Sequence, residues 1–80
     1  MDNFLKRKIK WKCRRGILEL DILLERFYDS QFHTLTAKEK KLFTYLLDQS
    51  DVLLYDWLLG NKIAKDFQLQ DLIRKISYSL

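Results

Sequence analysis

Residues 14–19 combine side chains suited to gripping another protein. Two arginines precede Gly16, and the carboxylate of Glu19 follows three residues later. A guanidinium is a planar fork of donors for carboxylates, phosphates or carbonyl oxygens, and a glycine lets another backbone come close. The same spacing also fits a glycine turn in which a local arginine–glutamate contact pins two helices together. Spacing alone leaves the binding site and the structural turn evenly balanced.

Independent catalysis has little support in the sequence. Catalysis needs several groups converging on one site, but the chain has one cysteine, Cys13, one histidine, His33, and two glycines that lie far apart. A cysteine nucleophile would need a base and an orienting partner, and a phosphate-binding loop would need clustered glycines. We therefore expect no enzymatic activity, no catalytic residue, no metal site and no stably bound cofactor. Cys13 is predicted to be a small buried hydrophobe.

Positive charge is concentrated at the start of the chain. The first 15 residues carry seven cations and one acid, whereas the other 65 carry eight cations and ten acids. A basic end on a mildly acidic body suggests a partner with an acidic face, although a solvated helix surface is the alternative. Nucleic acid is a rival partner because basic helices bind phosphate. The last two helices, however, do not resemble a recognition helix with outward Arg, Asn and Gln, so we expect no nucleic acid.

The elements that must position these residues are helical. Eighty residues with no proline and only two glycines lack the turn residues that strand-rich domains need. Apolar spacing predicts helices over about 2–13 and 17–32, with Gly16 turning the chain between them. The wide apolar surface of the second helix, which includes Ile22, predicts that it is the most buried.

Capping signals place the other three helices. Thr36 and Glu39 form a predicted capping box, and the helix that they open ends near Asp48. Ser50 or Asp51 can cap a fourth helix that Gly60 ends, and Asp66 can cap the fifth. We expect an all-α, compact five-helix bundle, with residues 1–80 as a single domain. No apolar run can cross a membrane and no signal-peptide core is present, so we expect a bacterial cytoplasmic protein without membrane insertion.

The stretch WKCRRGILELD at residues 11–21 resembles the family of small succinate dehydrogenase assembly factors, also called FAD assembly or flavinylation factors. The hallmark of that family is Arg-Gly-x-x-Glu, which is matched by Arg15, Gly16 and Glu19. A second family block, Asp-Pro-x-Leu-Phe-x-Trp, is partly matched by DVLLYDW at residues 51–57. There Val52 replaces the proline and Tyr55 replaces the phenylalanine.

The resemblance implies a five-helix fold and a chaperone-like task. Members of the family bind the flavoprotein subunit of succinate dehydrogenase, and in bacteria often that of fumarate reductase, and promote covalent attachment of FAD to a histidine of that subunit. FAD would therefore belong to the client. Some bacterial members are also described as the antitoxin of a membrane-associated toxin pair, which stays as an alternative function. We expect the protein to be a monomer.

The resemblance also suggests roles for individual residues. Gly16 would let the client backbone approach, Arg15 would meet client carboxylates or carbonyls, and Glu19 would reach toward the flavin-attachment region. The predicted partner-binding residues are Trp11, Arg14, Arg15, Gly16, Glu19 and Asp21. Leu54, Tyr55 and Trp57 are predicted to lie in the core.

Overall fold

The computed structural model describes residues 3–60 and 62–78, with side chains from residue 8 onward. Five α-helices follow one another: α1 (Asn3–Lys12), α2 (Leu18–Gln31), α3 (Ala37–Leu47), α4 (Asp51–Leu58) and α5 (Phe67–Ser77). A short 3-10 turn at Phe32–Thr34 follows α2 directly. The described part of the chain contains no strand, and the predicted all-α five-helix fold is confirmed. The predicted start of the first helix at Asp2 lies outside the described residues.

Side-chain caps begin the last three helices. The Thr36 hydroxyl accepts a hydrogen bond from the Glu39 amide at 3.1 Å, and the Glu39 carboxylate accepts one from the Thr36 amide at 3.0 Å. Ser50 accepts from the amide of Leu53, and Asp66 accepts from two amides of the first turn of α5. Each cap satisfies amides that have no partner within the helix. The predicted capping box and the predicted caps Ser50 and Asp66 are confirmed.

One apolar cluster joins the helices. Among the described residues, α2 contributes the largest buried set, namely Leu20, Leu23, Leu24, Phe27 and Tyr28. The ring of Phe43 in α3 lies 5.6 Å from the rings of both Phe27 and Phe32. Four residues of α5 complete the core from the other side: Leu69, Leu72, Ile73 and Ile76. Burial of these faces is the main force that holds the five helices together.

Two apolar residues were assigned to the wrong environment. Ile22 does not widen the buried face of α2, because it lies two positions from both Leu20 and Leu24 and therefore on the far side of the helix. Tyr55 is exposed and not part of the core, because it lies roughly a quarter of a turn around α4 from the midline of the buried Leu54 and Leu58. Trp57 is half-buried and packs against the core.

None of the described helices is both long enough and apolar enough to span a lipid bilayer.

Candidate partner-binding site

The connection between α1 and α2 is a turn that requires a glycine. The backbone φ angle of Gly16 is +88°, which lies in the left-handed region that side chains other than glycine rarely adopt. A Cβ atom built on Gly16 would have no neighbour within 4 Å among the described residues. Gly16 is therefore required for its backbone angle, as predicted, and the space above it is open to solvent.

Asp21 locks this turn from within α2. Its carboxylate accepts a hydrogen bond from the Arg15 amide, and both of its oxygens lie 3.2 Å from the amide nitrogen of Gly16. The N-cap residue of α2, Ile17, provides no side-chain cap. The structure gives Asp21 a part in holding the turn that precedes the helix, and its contact with a partner stays a prediction.

The Arg15 side chain points into the protein. Its Nε atom donates to Asp51 Oδ1 at 2.8 Å, Nη1 donates to the carbonyls of Lys12 (3.0 Å) and Leu47 (2.7 Å), and Nη2 donates to the carbonyl of Gln49 (2.7 Å). These bonds engage four of the five N–H groups of a guanidinium, and the side chain is only 15% exposed. We call this set of five residues the Arg15 clamp.

The Arg15 clamp ties three helix ends together. Lys12 ends α1, Leu47 ends α3 and Asp51 begins α4. Carbonyls at the end of a helix lack partners within it, and a planar guanidinium can satisfy several acceptors at once. The sequence also allowed a glycine turn in which an arginine–glutamate contact pins two helices together. That alternative is partly correct, because Arg15 does pin helices together. Its charged partner is Asp51, however, and not Glu19.

The other side of the turn faces solvent. Trp11 is 78% exposed and Leu18 is 70% exposed, while Arg14, Glu19 and Ile22 are also exposed. Within the described part of the chain, no group lies within hydrogen-bonding or ion-pairing distance of the Arg14 guanidinium or the Glu19 carboxylate. We call this set the turn surface: Trp11, Arg14, Gly16, Leu18, Glu19 and Ile22. It combines exposed apolar side chains with one cation and one anion, which is typical of a protein-binding surface.

A shallow cavity adjoins the turn surface. It lies between α1 and α2, has a volume of about 360 Å³, and is lined by Lys10, Trp11, Arg14 and Glu25. The Lys10 ammonium binds the carboxylate of Asp29 at 2.9 Å and so fixes the two helices beside the cavity. A cavity of this size beside an exposed tryptophan can receive an apolar side chain from a partner.

Two members of this surface were not among the predicted partner-binding residues, although Leu18 lies within the predicted segment 14–19. Leu18 and Ile22 are four residues apart on the outer face of α2, where their apolar character resembles that of core residues. Their offset from the buried pair Leu20 and Leu24 was a usable signal, because residues two positions apart lie on opposite sides of a helix.

Cys13 lies beneath the turn and is chemically inert. It is fully buried, and its thiol donates to the carbonyl of Ile9 at 3.5 Å. Burial, reinforced by the charge of Glu25, raises the pKa of the Cys13 thiol to about 12, so the thiol stays protonated at neutral pH and is not a nucleophile. The predicted role of Cys13 as a buried hydrophobe is confirmed. Within the part of the chain that the structure describes, no group of three or more His, Cys, Asp or Glu residues could hold a metal ion.

Comparison with known proteins identifies the family. Residues 7–79 match the protein family described as "Flavinator of succinate dehydrogenase". This chain belongs to that family. It is 60% identical over 70 residues to the FAD assembly factor SdhE of Coxiella burnetii, an alignment that covers 88% of this chain and 85% of that protein. It is 47% identical over 62 residues to the protein of the same name from Legionella pneumophila strain Paris, with 78% of each chain covered. The Haemophilus influenzae protein of that name is 38% identical over 76 residues, or 95% of this chain and 89% of its own.

The resemblance predicted from the sequence is thus confirmed, and the family hallmark can be placed on the fold. Arg15 turns inward to the clamp, whereas Gly16 and Glu19 face outward. Of these three residues, Arg15 and Gly16 build the turn, and Gly16 and Glu19 are exposed.

Proposed function

We propose that this protein is an assembly factor that binds the flavoprotein subunit of succinate dehydrogenase and promotes covalent attachment of FAD to it. Membership of a family described as flavinator of succinate dehydrogenase supports this function, as do relatives named FAD assembly factor. The observation that carries the assignment of the site is the turn surface, which combines exposed Trp11, Leu18 and Glu19 with an open glycine.

The proposed mechanism is to hold the client and not to catalyse. Gly16 leaves room for a client backbone, while the charges of Arg14 and Glu19, which have no partner among the described residues, are available to client polar groups. Trp11 provides an anchor of the kind that dominates binding energy, and Leu18 adds apolar contact area beside it. Because the Arg15 clamp fixes the turn before binding, little ordering is required when the client docks. In this proposal the protein is not an enzyme, and FAD binds to the client and not to this chain.

Charge pairing within the fold supports a protein partner over nucleic acid. Lys10 is paired with Asp29 at 2.9 Å, and Lys12 is paired with Asp48 at 2.8 Å. Two cations of the basic first segment are thus already partly neutralised by the protein itself, which lowers the number of phosphates that they could bind.

Three narrower points belong to the same proposal. The flavoprotein subunit of fumarate reductase is a second client, the protein acts as a monomer, and it works in the bacterial cytoplasm. Coexpression with each flavoprotein tests the clients, light scattering after size-exclusion chromatography tests the monomer, and cell fractionation tests the location.

The central experiment measures covalent FAD directly. The protein is coexpressed with the flavoprotein subunit in a host that lacks its own assembly factor, and covalent flavin is read by in-gel fluorescence after denaturation. We expect Gly16→Arg to abolish the gain in fluorescence because it fills the open space, and Glu19→Ala to reduce it strongly. Asp71→Ala, an exposed acid on α5, is the matched control and should behave as wild type.

Two outcomes separate the function from the site. If the wild-type protein adds no covalent flavin above the level without it, the proposed function is wrong. If Gly16→Arg and Glu19→Ala are folded by circular dichroism and both support full flavinylation, the function stands and the turn surface is the wrong site.

A further inference from the structure

The turn surface alone is small for a stable interface. It comprises six residues, whereas a standard protein–protein interface uses about 20–30 residues and about 800 Å² of each partner. The described surface of this protein totals 5571 Å², so such a client would cover roughly one seventh of it. A client that sits on the turn surface must therefore also contact a neighbouring part of the protein.

The outer face of α4 carries an apolar stripe that the core does not use. Val52 is 72% exposed, Tyr55 is 43% exposed, and Leu59, the C-cap residue, is also exposed. Spacings of three and four residues place these side chains along one side of the helix. We call these three residues the α4 stripe. The buried residues of this helix, Leu54 and Leu58, face the core about a third of a turn around the helix from the centre of the stripe.

The α4 stripe is tied to the turn surface. Val52 follows Asp51 directly in the chain, and Asp51 accepts the Arg15 Nε hydrogen bond at 2.8 Å. Arg15 in turn immediately precedes Gly16. The buried side chain of Arg15 therefore links the residue before Gly16 to the residue before Val52. Its bonds to the carbonyls of Leu47 and Gln49 fix the start of α4 relative to the turn.

Two other exposed apolar side chains, Ile63 and Phe67, lack this connection. Ile63 lies beyond the far end of α4 and lines a cavity together with Leu53 and Trp57, which point away from the α4 stripe. Phe67 is exposed at the start of α5. Neither Ile63 nor Phe67 is joined to the turn surface by a hydrogen bond or ion pair among the described residues.

We propose that the α4 stripe is a second contact surface for the same flavoprotein subunit, so that the client is held across the turn surface and α4 together. This inference rests on the proposed function. The facing part of the client is apolar opposite Val52 and Leu59, with a polar group within reach of the Tyr55 hydroxyl, because a half-exposed tyrosine offers both an apolar ring and a hydrogen-bonding tip.

The test measures affinity for the purified flavoprotein subunit by isothermal titration calorimetry. Val52→Asp should raise the dissociation constant at least about tenfold, the effect expected of an apolar contact in the centre of an interface. The double variant Val52→Asp/Tyr55→Asp should raise it further. Val52 lies in the first turn of α4, where a carboxylate is favoured by the helix dipole, so Val52→Asp should fold as well as wild type. Phe67→Asp and Ile63→Asp place the same charge at exposed apolar sites away from the stripe and should bind within about twofold of wild type.

The outcomes distinguish this inference from the function on which it rests. If the two stripe variants bind like wild type while Glu19→Ala binds weakly, the α4 stripe is not a client surface and the proposed function is untouched. If Phe67→Asp or Ile63→Asp weakens binding as much as Val52→Asp, the loss is not specific to the stripe and the inference is also wrong. If the wild-type protein does not bind the flavoprotein at all, the proposed function fails together with the inference.

Discussion

Each of the two glycines of this protein lies in a helix connection, and the two connections use glycine for different reasons. At Gly16 the backbone angle demands glycine while the space around it is empty. At Gly60 the space is the constraint, because a Cβ atom would lie 2.9 Å from the carbonyl oxygen of Asp56. The first glycine faces outward over an open surface, and the second is packed against the end of its own helix.

The two connections also differ in how they are held. The Gly16 turn is held by Asp21 of its own flanking helix and also by the Arg15 clamp, which reaches α3 and α4. The described part of the α4–α5 connection is tied mainly to its own flanking helices, for example by the Ala64 amide, which donates to Gln70 at 2.8 Å. Only the first connection holds exposed groups in a geometry set by three helix ends. Such a fixed surface loses less freedom when it binds a partner.

The largest effect should come from the clamp. Arg15→Met should lower the free energy of unfolding by about 2–3 kcal/mol, because it removes four hydrogen bonds and leaves acceptors without partners. Arg14→Met, the neighbouring exposed arginine, should change it by less than about 0.5 kcal/mol. Urea unfolding followed by circular dichroism measures both. Equal stability of the two variants would show that the clamp does not hold the turn.

Removal of the Asp21 carboxylate should have an intermediate effect on stability. Asp21→Ala should cost about 1–2 kcal/mol of unfolding free energy, since the amides of Arg15 and Gly16 lose their acceptor. Asp21→Asn should cost less because an amide oxygen can still accept. The control is Asp29→Ala, which breaks only an exposed ion pair with Lys10 and should cost less than about 1 kcal/mol. A loss from Asp29→Ala as large as that from Asp21→Ala would contradict this account of the turn.

The glycines can be compared directly. Gly16→Ala should cost about 1 kcal/mol because of its positive φ angle, and Gly16→Asn should cost less because asparagine tolerates that region better. At Gly60, asparagine should not be better tolerated than alanine, since the Cβ atom of either residue meets the Asp56 carbonyl. Thermal unfolding of the four variants tests the difference. If asparagine recovers stability at both positions, the backbone angle and not the available space limits both.

The smallest effect concerns pH. A hydrogen bond from Lys12, with its charge, lowers the pKa of Asp48 below its ordinary value of 3.8. A carboxyl group whose pKa is lowered by folding stabilises the protein above its ordinary pKa, and this contribution is lost as the pH falls through the folded pKa. Wild type should therefore be slightly more stable than Lys12→Met at neutral pH, with the gap closing as the pH falls below 3.8. Urea midpoints at several pH values measure the gap. Lys38→Met, an exposed lysine without an ion pair among the described residues, should show no such closing gap.

Local patterns were sufficient to predict the helices. The capping box at Thr36 and Glu39 and the caps at Ser50 and Asp66 act over two or three residues, so their outcome is fixed by nearby sequence. Tyr55 and Ile22 were misplaced because apolar character alone does not reveal which side of a helix meets the core. The helical rotation between neighbours decides that question once the buried stripe is known.

The sequence by itself determined that the chain is helical, that the chain turns at Gly16, and that residues 11–21 carry the family hallmark. The tertiary structure decided which parts of that hallmark are available to a partner. Arg15 turns inward because its acceptors at Leu47, Gln49 and Asp51 lie 32 to 36 residues away along the chain. Only folding brings those acceptors to the turn, and spacing within the motif holds no information about them. The Glu19 carboxylate would need a hydrogen-bond donor, meets none among the described residues, and stays on the surface.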